Sequence, residues 1–572
     1  MSIVFLVLSI IVITVWIYFL WSRRRFYKLY FQLRGPLGLP FIGIGLQMMK
    51  PEGFLQYMQQ KGQQYKTPFV SWMGTKCFLY VNDPETIENI FNSACCTNKG
   101  DLYRFMATAI GDGLFTSSSP RWNKHRRLIN PAFSRQVIHT FLPIFNQEAN
   151  ILVTKLMTTQ CQPLEIYEIL KRSVLETACQ TTMGKKINFK NNGAAGIFES
   201  YNGITEVCVK RMLSPWLYSD KVYRYSSLFK RQRQYINVLY EFVENLLEVK
   251  QNCNTSPSTL TTANAVKKMP TERKMRRNEN KVKSNLQYFY ECDNEKGVKD
   301  EEIGRINKLK SRVFVNQVKQ NIEEGQLTWQ DVRDEANVIV AATFETTSTA
   351  LYLVCLCLAM HPEYQEKLYN ELVEIFPTNN RKTTHNSEKK GLQVSPNQLR
   401  NGGNNDLILT EITLEHLERM TYAEMVINEA MRLFAPVPMV LRQASCDFQL
   451  CNGTIIPEGT QIGIDIFNMQ RSEQVWGTHA TTFNPDKHFA TTHKPHPFAF
   501  IPFTKGLRMC IGYRYALILM KIMLAKIFRN FLIHTDAKMS DLIIKGTISL
   551  KLCQYPLCML QKRTSYNDDK IN

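Results

Sequence analysis

Ten residues, Phe503 to Gly512 (FTKGLRMCIG), constrain this chain more than any other stretch. Cys510 lies in a turn bounded by Gly506 and Gly512, two residues that let the backbone bend tightly and approach a neighbouring group closely. The following segment, YRYALILMKIMLAKIFRNFL, has the pattern of a helix. Cys510 therefore sits just before a helix N-terminus, where negative charge is favoured. Phe503 is placed to keep water off the sulfur. A lone cysteine is usually a small buried hydrophobe, and the chain has 15. Four residues at fixed offsets in one short window set Cys510 apart from the others.

The window resembles the F-x-x-G-x-R-x-C-x-G signature of the cytochrome P-450 family and matches every specified position. The resemblance implies that the Cys510 thiolate ligates the iron of haem b, with Phe503 and Gly506 shaping the turn and Arg508 on a haem propionate. A proximal thiolate pushes electron density onto the iron and favours O–O cleavage. Other family marks follow in the expected order. RWNKHRRLINPAFS resembles the W-x-x-x-R helix, which implies Trp122 and Arg126 as propionate partners; read alone it is only a basic helix ended by Pro131. In INEAMRLFAPVPMVLR, Glu429 and Arg432 are three apart and share a helix face; the family's E-x-x-R pair braces the core there. Arg442 matches another propionate-binding position.

DEANVIVAATFETTSTALYLVCLCLAMHPE reads as a long apolar helix and resembles the family's oxygen-binding helix. By that resemblance Thr346 hydrogen-bonds the oxygen molecule and Glu345 feeds protons through water. A mid-helix threonine can also simply bond back to a carbonyl. The chain departs from the family in three places. Thr343 stands where a glycine is usual, narrowing the space or supplying another hydroxyl. Ala342 stands where one branch carries a haem-linked glutamate. In FNPDKHF, Lys487 or His488 replaces the arginine that joins the Glu429–Arg432 pair.

Ile3 to Trp21 is almost continuously apolar, about the 20 residues that span a bilayer. Arg23, Arg24 and Arg25 follow it, so the positive-inside rule puts the body of the chain in the cytosol. The expected organisation is a transmembrane anchor over 1–22, a basic and Pro/Gly-rich linker over 23–43, and one haem-binding catalytic domain over 44–572. Polar inserts near 251–303 and 378–406 read as flexible surface loops. A cytosolic body on the endoplasmic reticulum keeps its thiols reduced, so no structural disulfide is expected.

The formal net charge is +20. No nucleic-acid motif accompanies it. A basic underside favours an anionic bilayer, and a basic face near Lys505, Arg508 and Arg514 would steer an acidic electron donor. The fold the resemblance implies is mainly α with a small β region, haem lying between the Glu345/Thr346 helix and the helix after Cys510. The implied reaction inserts one oxygen atom into an apolar small molecule, with NADPH electrons delivered by a flavoprotein reductase and cytochrome b5 as a second donor. Phe105, Phe115 and Phe344 are candidates to line the substrate pocket. The alternative is a haem-binding ligand carrier or sensor with little monooxygenase activity.

Overall fold

A computed structural model describes residues 2–39, 41–48, 51–159, 162–187, 195–247, 313–377, 410–490 and 495–563. The inserts near 251–303 and 378–406 lie outside the described residues. The architecture is mainly helical with a small β region, as expected.

Helix α1 (Ser2–Ser22) is apolar along its length and none of it is buried, its contact with the body being Trp16 and Phe19 against Phe41. Helix α2 (Arg24–Gln32) follows and buries Leu29 against a sheet. That sheet contains β1 (Phe69–Met73), β2 (Lys76–Val81) and the two-residue β3 (Asn98–Lys99). Next come α3 (Arg121–Ile129), α4 (Ile166–Met183) and α5 (Ala195–Met212). The centre of the fold is α6 (Trp329–Met360), then α7 (Thr421–Leu433). Strands β4 (Met439–Gln443) and β5 (Gln461–Asp465) complete the sheet in the order β1-β2-β5-β4-β3. Helix α8 (Tyr513–Asn530) follows the cysteine turn, and β6 (Ile544–Gly546) pairs with β7 (Leu550–Leu552) in a C-terminal hairpin.

Two helices are long and apolar enough to cross a membrane, and burial separates them. The Val4–Ser22 stretch is wholly exposed, whereas most of α6 is buried. Apolar helices buried all round form cores. Helix α6 starts at a capping box: the Thr328 hydroxyl accepts from the Asp331 N–H, and Asp331 accepts from the Thr328 N–H. Such a reciprocal pair satisfies two otherwise orphaned donors. Pro362, just past the last turn, starts a separate helix. Helix α6 runs along α4 and against α7 and α8.

One expectation fails here. Cys95 and Cys446, 351 residues apart, form a disulfide. The Ser445 N–H and hydroxyl both donate to the Cys95 carbonyl, at 2.9 and 3.0 Å, and bring the two cysteines together. Compartment chemistry alone favoured reduced thiols; local backbone pairing placed these two within bonding reach.

Candidate functional site

The sequence builds the site from four directions. The turn before α8 presents Cys510, with Met509 N–H donating to Gly506 and Cys510 N–H to Phe503. Gly506 has φ +71°, and a Cβ there would lie 2.8 Å from the Phe91 carbonyl oxygen. Both facts exclude a side chain. At Gly512 a Cβ would meet nothing within 4 Å, because this backbone faces a cavity. The Cys510 sulfur opens onto the same space while protein surrounds the residue on its other sides. Burial pushes the Cys510 thiol up; the Gly512 N–H and the Arg126 guanidinium pull it the other way.

Across the cavity, α6 presents Thr343 and Thr346. Each hydroxyl donates to a carbonyl four residues back, Thr343 to Ile339 at 2.7 Å and Thr346 to Ala342 at 2.8 Å. Each oxygen keeps its lone pairs for another partner.

The rim is cationic. Trp122 and Arg126 come from α3, Arg442 from β4 and Arg508 from the cysteine turn, and all line the cavity. Arg508 stacks its guanidinium 3.9 Å over the Trp122 ring. It donates to the Thr97 and Ser117 carbonyls, each at 2.9 Å. Its Nη2 is buried without a partner. Burial and then the neighbouring Arg442 lower its pKa to about 9. Arg442, fully buried, makes one short-range bond to the Leu441 carbonyl.

Sequence reasoning missed a further cation. Lys99 lines the cavity and sits directly opposite Arg442 in the β3–β4 register. Its pKa is driven well down by burial, then by Arg442 and Arg508. Like charges facing each other across strands are destabilising. Four basic side chains around one cavity, one with an orphaned donor, favour an anionic occupant. Among the described residues no three His, Cys, Asp or Glu side chains gather as a metal site. A lone cysteine ligand, a bare glycine backbone and a cationic rim thus fit haem, whose macrocycle supplies its own nitrogen ligands and two carboxylates.

Helix α3 is locked to α6 by a second pairing that no local motif announced. His125 Nδ1 lies 2.7 Å from Glu335 Oε1, both buried. Glu335 Oε2 accepts from the Leu114 N–H at 3.0 Å, and Arg121 reaches Asp331 at 2.6 Å.

Three expected residues stand elsewhere. Glu345 does not line the cavity. Its Oε1 accepts from Ser549 at 2.8 Å and pairs with Lys551 at 3.0 Å, while Oε2 is buried without a partner. One residue before Thr346, it points about 100° round the helix, towards the C-terminal hairpin. Burial raises its pKa, but Lys551 and Lys171 outweigh that and hold it below the usual value. Of the three phenylalanines expected in the pocket, only Phe115 lines it. Phe105 packs under Arg211 and Tyr218, and Phe344 against Tyr201 and Phe198, all in the core.

Glu429 and Arg432 are fully buried and bidentate: Nε to Oε2 at 2.7 Å, Nη2 to Oε1 at 2.9 Å. The third member is His488, whose Nδ1 lies 2.9 Å from Glu429 Oε1. Lys487 is exposed. Arg432 Nη1 also donates to the Gln470 and Ala480 carbonyls.

A helical protein with one bare cysteine facing a cation-rimmed cavity defines a haem-thiolate class. The family model described as Cytochrome P450 matches residues 33–559. The chain is 54% identical over 565 residues to "Probable cytochrome P450 313b1" of Drosophila melanogaster, covering 98% of this chain and 99% of that one. It is 35% identical over 564 residues to "Probable cytochrome P450 313a4" of the same organism, covering 96% and 97%. "Cytochrome P450 4d2" is 25% identical over 520 residues, covering 90% of each. The chain belongs to the cytochrome P450 family, whose members are haem-containing monooxygenases.

Proposed function

We propose that this chain is a membrane-anchored haem-thiolate monooxygenase that hydroxylates an apolar small molecule. The carrying observation is the Cys510 sulfur, bare towards a cavity ringed by Lys99, Arg126, Arg442 and Arg508. Haem, when bound, supplies oxygen activation: one atom of O2 enters the substrate, the other leaves as water, and NADPH provides two electrons through a flavoprotein reductase. Cys510 holds the iron; Trp122 and the cations hold the propionates. The Thr346 hydroxyl stands where it can take and pass a proton at its oxygen. Glu345 serves chiefly to hold the C-terminal hairpin against α6, since its carboxylate is engaged there. Phe503 and Ile511 keep water from the sulfur. The α1 helix, with Arg23 to Arg25 behind it, supports a single-pass anchor in the endoplasmic reticulum with the body in the cytosol.

The test is the ferrous–carbon monoxide difference spectrum of the membrane-expressed protein beside Cys510→Ser. A red-shifted thiolate-type band, absent from the variant, is expected. A stable haem protein with an imidazole-type band instead would overturn the ligand assignment. Thr343 at the usual glycine position and the withdrawn Glu345 favour a second reading, a ligand carrier or sensor. NADPH consumption with reductase present, tracking substrate, separates the two.

A further inference from the structure

A second cavity adjoins the first, with Phe115 and Val437 in the lining of both. Strands β1, β2 and β4, the C-terminal end of α5, and Gly546 to Ile548 at the end of β6 form its walls. Five of its lining residues are methionines: Met48, Met73, Met106, Met212 and Met439. Methionine is unbranched and polarisable, and it moulds to irregular or flexible apolar ligands.

Among the described residues, no lining side chain is charged. The Thr547 hydroxyl donates to the Ser549 carbonyl; that of Tyr103 lies against the Leu441 backbone, and that of Tyr80 lies beside the Ser71 hydroxyl, which is buried without a partner. Basic residues on the surrounding elements are committed elsewhere. Lys76 pairs with Asp101, Arg211 with Asp220, and Lys545 with Glu206 at 2.9 Å. Arg104 donates to the Tyr218 carbonyl at 3.2 Å. Lys99 lines the first cavity, its ammonium held 4.4 Å over the Tyr103 ring and 4.9 Å over the Phe115 ring.

We propose that this antechamber receives the body of an uncharged, flexible, hydrocarbon-rich substrate, such as a long-chain ester or hydrocarbon, and discriminates against the corresponding free acid. The proposal rests on the monooxygenase reading above and narrows its substrate class. A carboxylate in this space would lose its water and find no charged side chain in the lining, and a buried charge without an ionic partner is strongly disfavoured.

The experiment uses the full-length holoprotein in lipid nanodiscs, titrated with methyl palmitate and with palmitate at a pH where the acid is ionised. Binding is read by equilibrium dialysis of radiolabelled ligand and, separately, by the shift of the haem absorption band. The ester is expected to bind at least about tenfold more tightly, a difference of about 1.4 kcal/mol. Met212→Arg places a cation at the partly exposed edge of the cavity and should strengthen acid binding while leaving the ester unaided. Equal or tighter binding of the acid by the wild type overturns the proposal. So does retention of neither ligand by a preparation with a thiolate-type carbon monoxide spectrum. Selective ester retention by dialysis without that spectrum would sink the monooxygenase reading and leave the cavity assignment standing. The wild-type pair decides the matter even where Met212→Arg does not fold.

Discussion

Lys99 and Arg442 face each other across two strands with no carboxylate between them, and that makes opposite predictions for the empty and the loaded protein. Lys99→Met removes a like-charge repulsion worth a few tenths to about 1 kcal/mol, so the haem-free protein should keep or slightly raise its melting temperature. It also removes a charge-assisted partner for a propionate, about 1.5–3 kcal/mol. Haem retention should fall about tenfold or more, read as haem per protein after competition with apomyoglobin. Equal haem retention would remove Lys99 from the site. At Thr346, replacement by alanine should raise peroxide formed per NADPH consumed; unchanged coupling would count against its proton-handling role. Cys510, Arg508, Glu429 and Arg432 were legible because their spacing is local: a turn and a helix face fix them. Lys99, His125–Glu335 and Glu345–Lys551 were not. Their partners lie more than 200 residues away in the chain, and Lys99 itself is on a strand two residues long.

The buried carboxylates differ in how many donors their elements bring to them. Burial raises the pKa of Glu429, but Arg432 and His488 outweigh it and hold the group below its usual value. Its stabilising contribution is therefore present above the ordinary carboxylate range and is lost as pH falls through the depressed value. Asp465, where β5 passes into the helical turn Ile466–Met469, has only the Asn468 N–H and amide as donors. Burial pushes it up to about 6. The sign reverses: its contribution is complete below the unfolded value near 3.8 and is lost as pH rises towards 6. Asp465→Asn keeps the side-chain oxygen that caps the turn and abolishes the titration. It should flatten the stability profile between about pH 4 and 6 and stabilise the protein at neutral pH by on the order of 3 kcal/mol at most. Denaturant melts of both proteins across that window check this. The C-terminal hairpin depends on a different carboxylate. Glu345→Gln should strip charge pairing from Lys551 and Lys171 and raise amide exchange over β6 and β7, while α6 stays protected. Unchanged exchange there would deny Glu345 its clamping role. Nothing in the residues around Lys551 signals in sequence that their strand takes hold of the acid next to Thr346.

At the scale of the molecule, two apolar helices of similar appearance in sequence have opposite fates, and the difference lies in what surrounds them. Helix α6 is covered by α4, α7 and α8 and closed by its capping box. Helix α1 touches the body through Trp16 and Phe19 on the exposed Phe41 ring, and the side chains after it turn back onto the body: Arg25 pairs with Asp447, Tyr27 packs on Trp72, and Leu29 is buried. The body's register is thus set by α2 and the sheet, and α1 contributes only its apolar surface. Leu37, Leu39 and Phe41 remain exposed between α2 and β1, so the membrane-proximal face stays apolar even without the helix. Removal of residues 2–21 should therefore leave the carbon monoxide spectrum and the melting temperature within error of the full chain. Resistance to alkaline carbonate extraction should be lost, because an interfacial apolar patch binds reversibly whereas a spanning helix does not. Part of the truncated protein should still sediment with vesicles at neutral pH, and replacing Leu37, Leu39 and Phe41 with serine should release that part. Loss of haem on truncation would instead mean that α1 holds the sheet which carries Lys99 and Arg442, and that anchor and site are one structural unit.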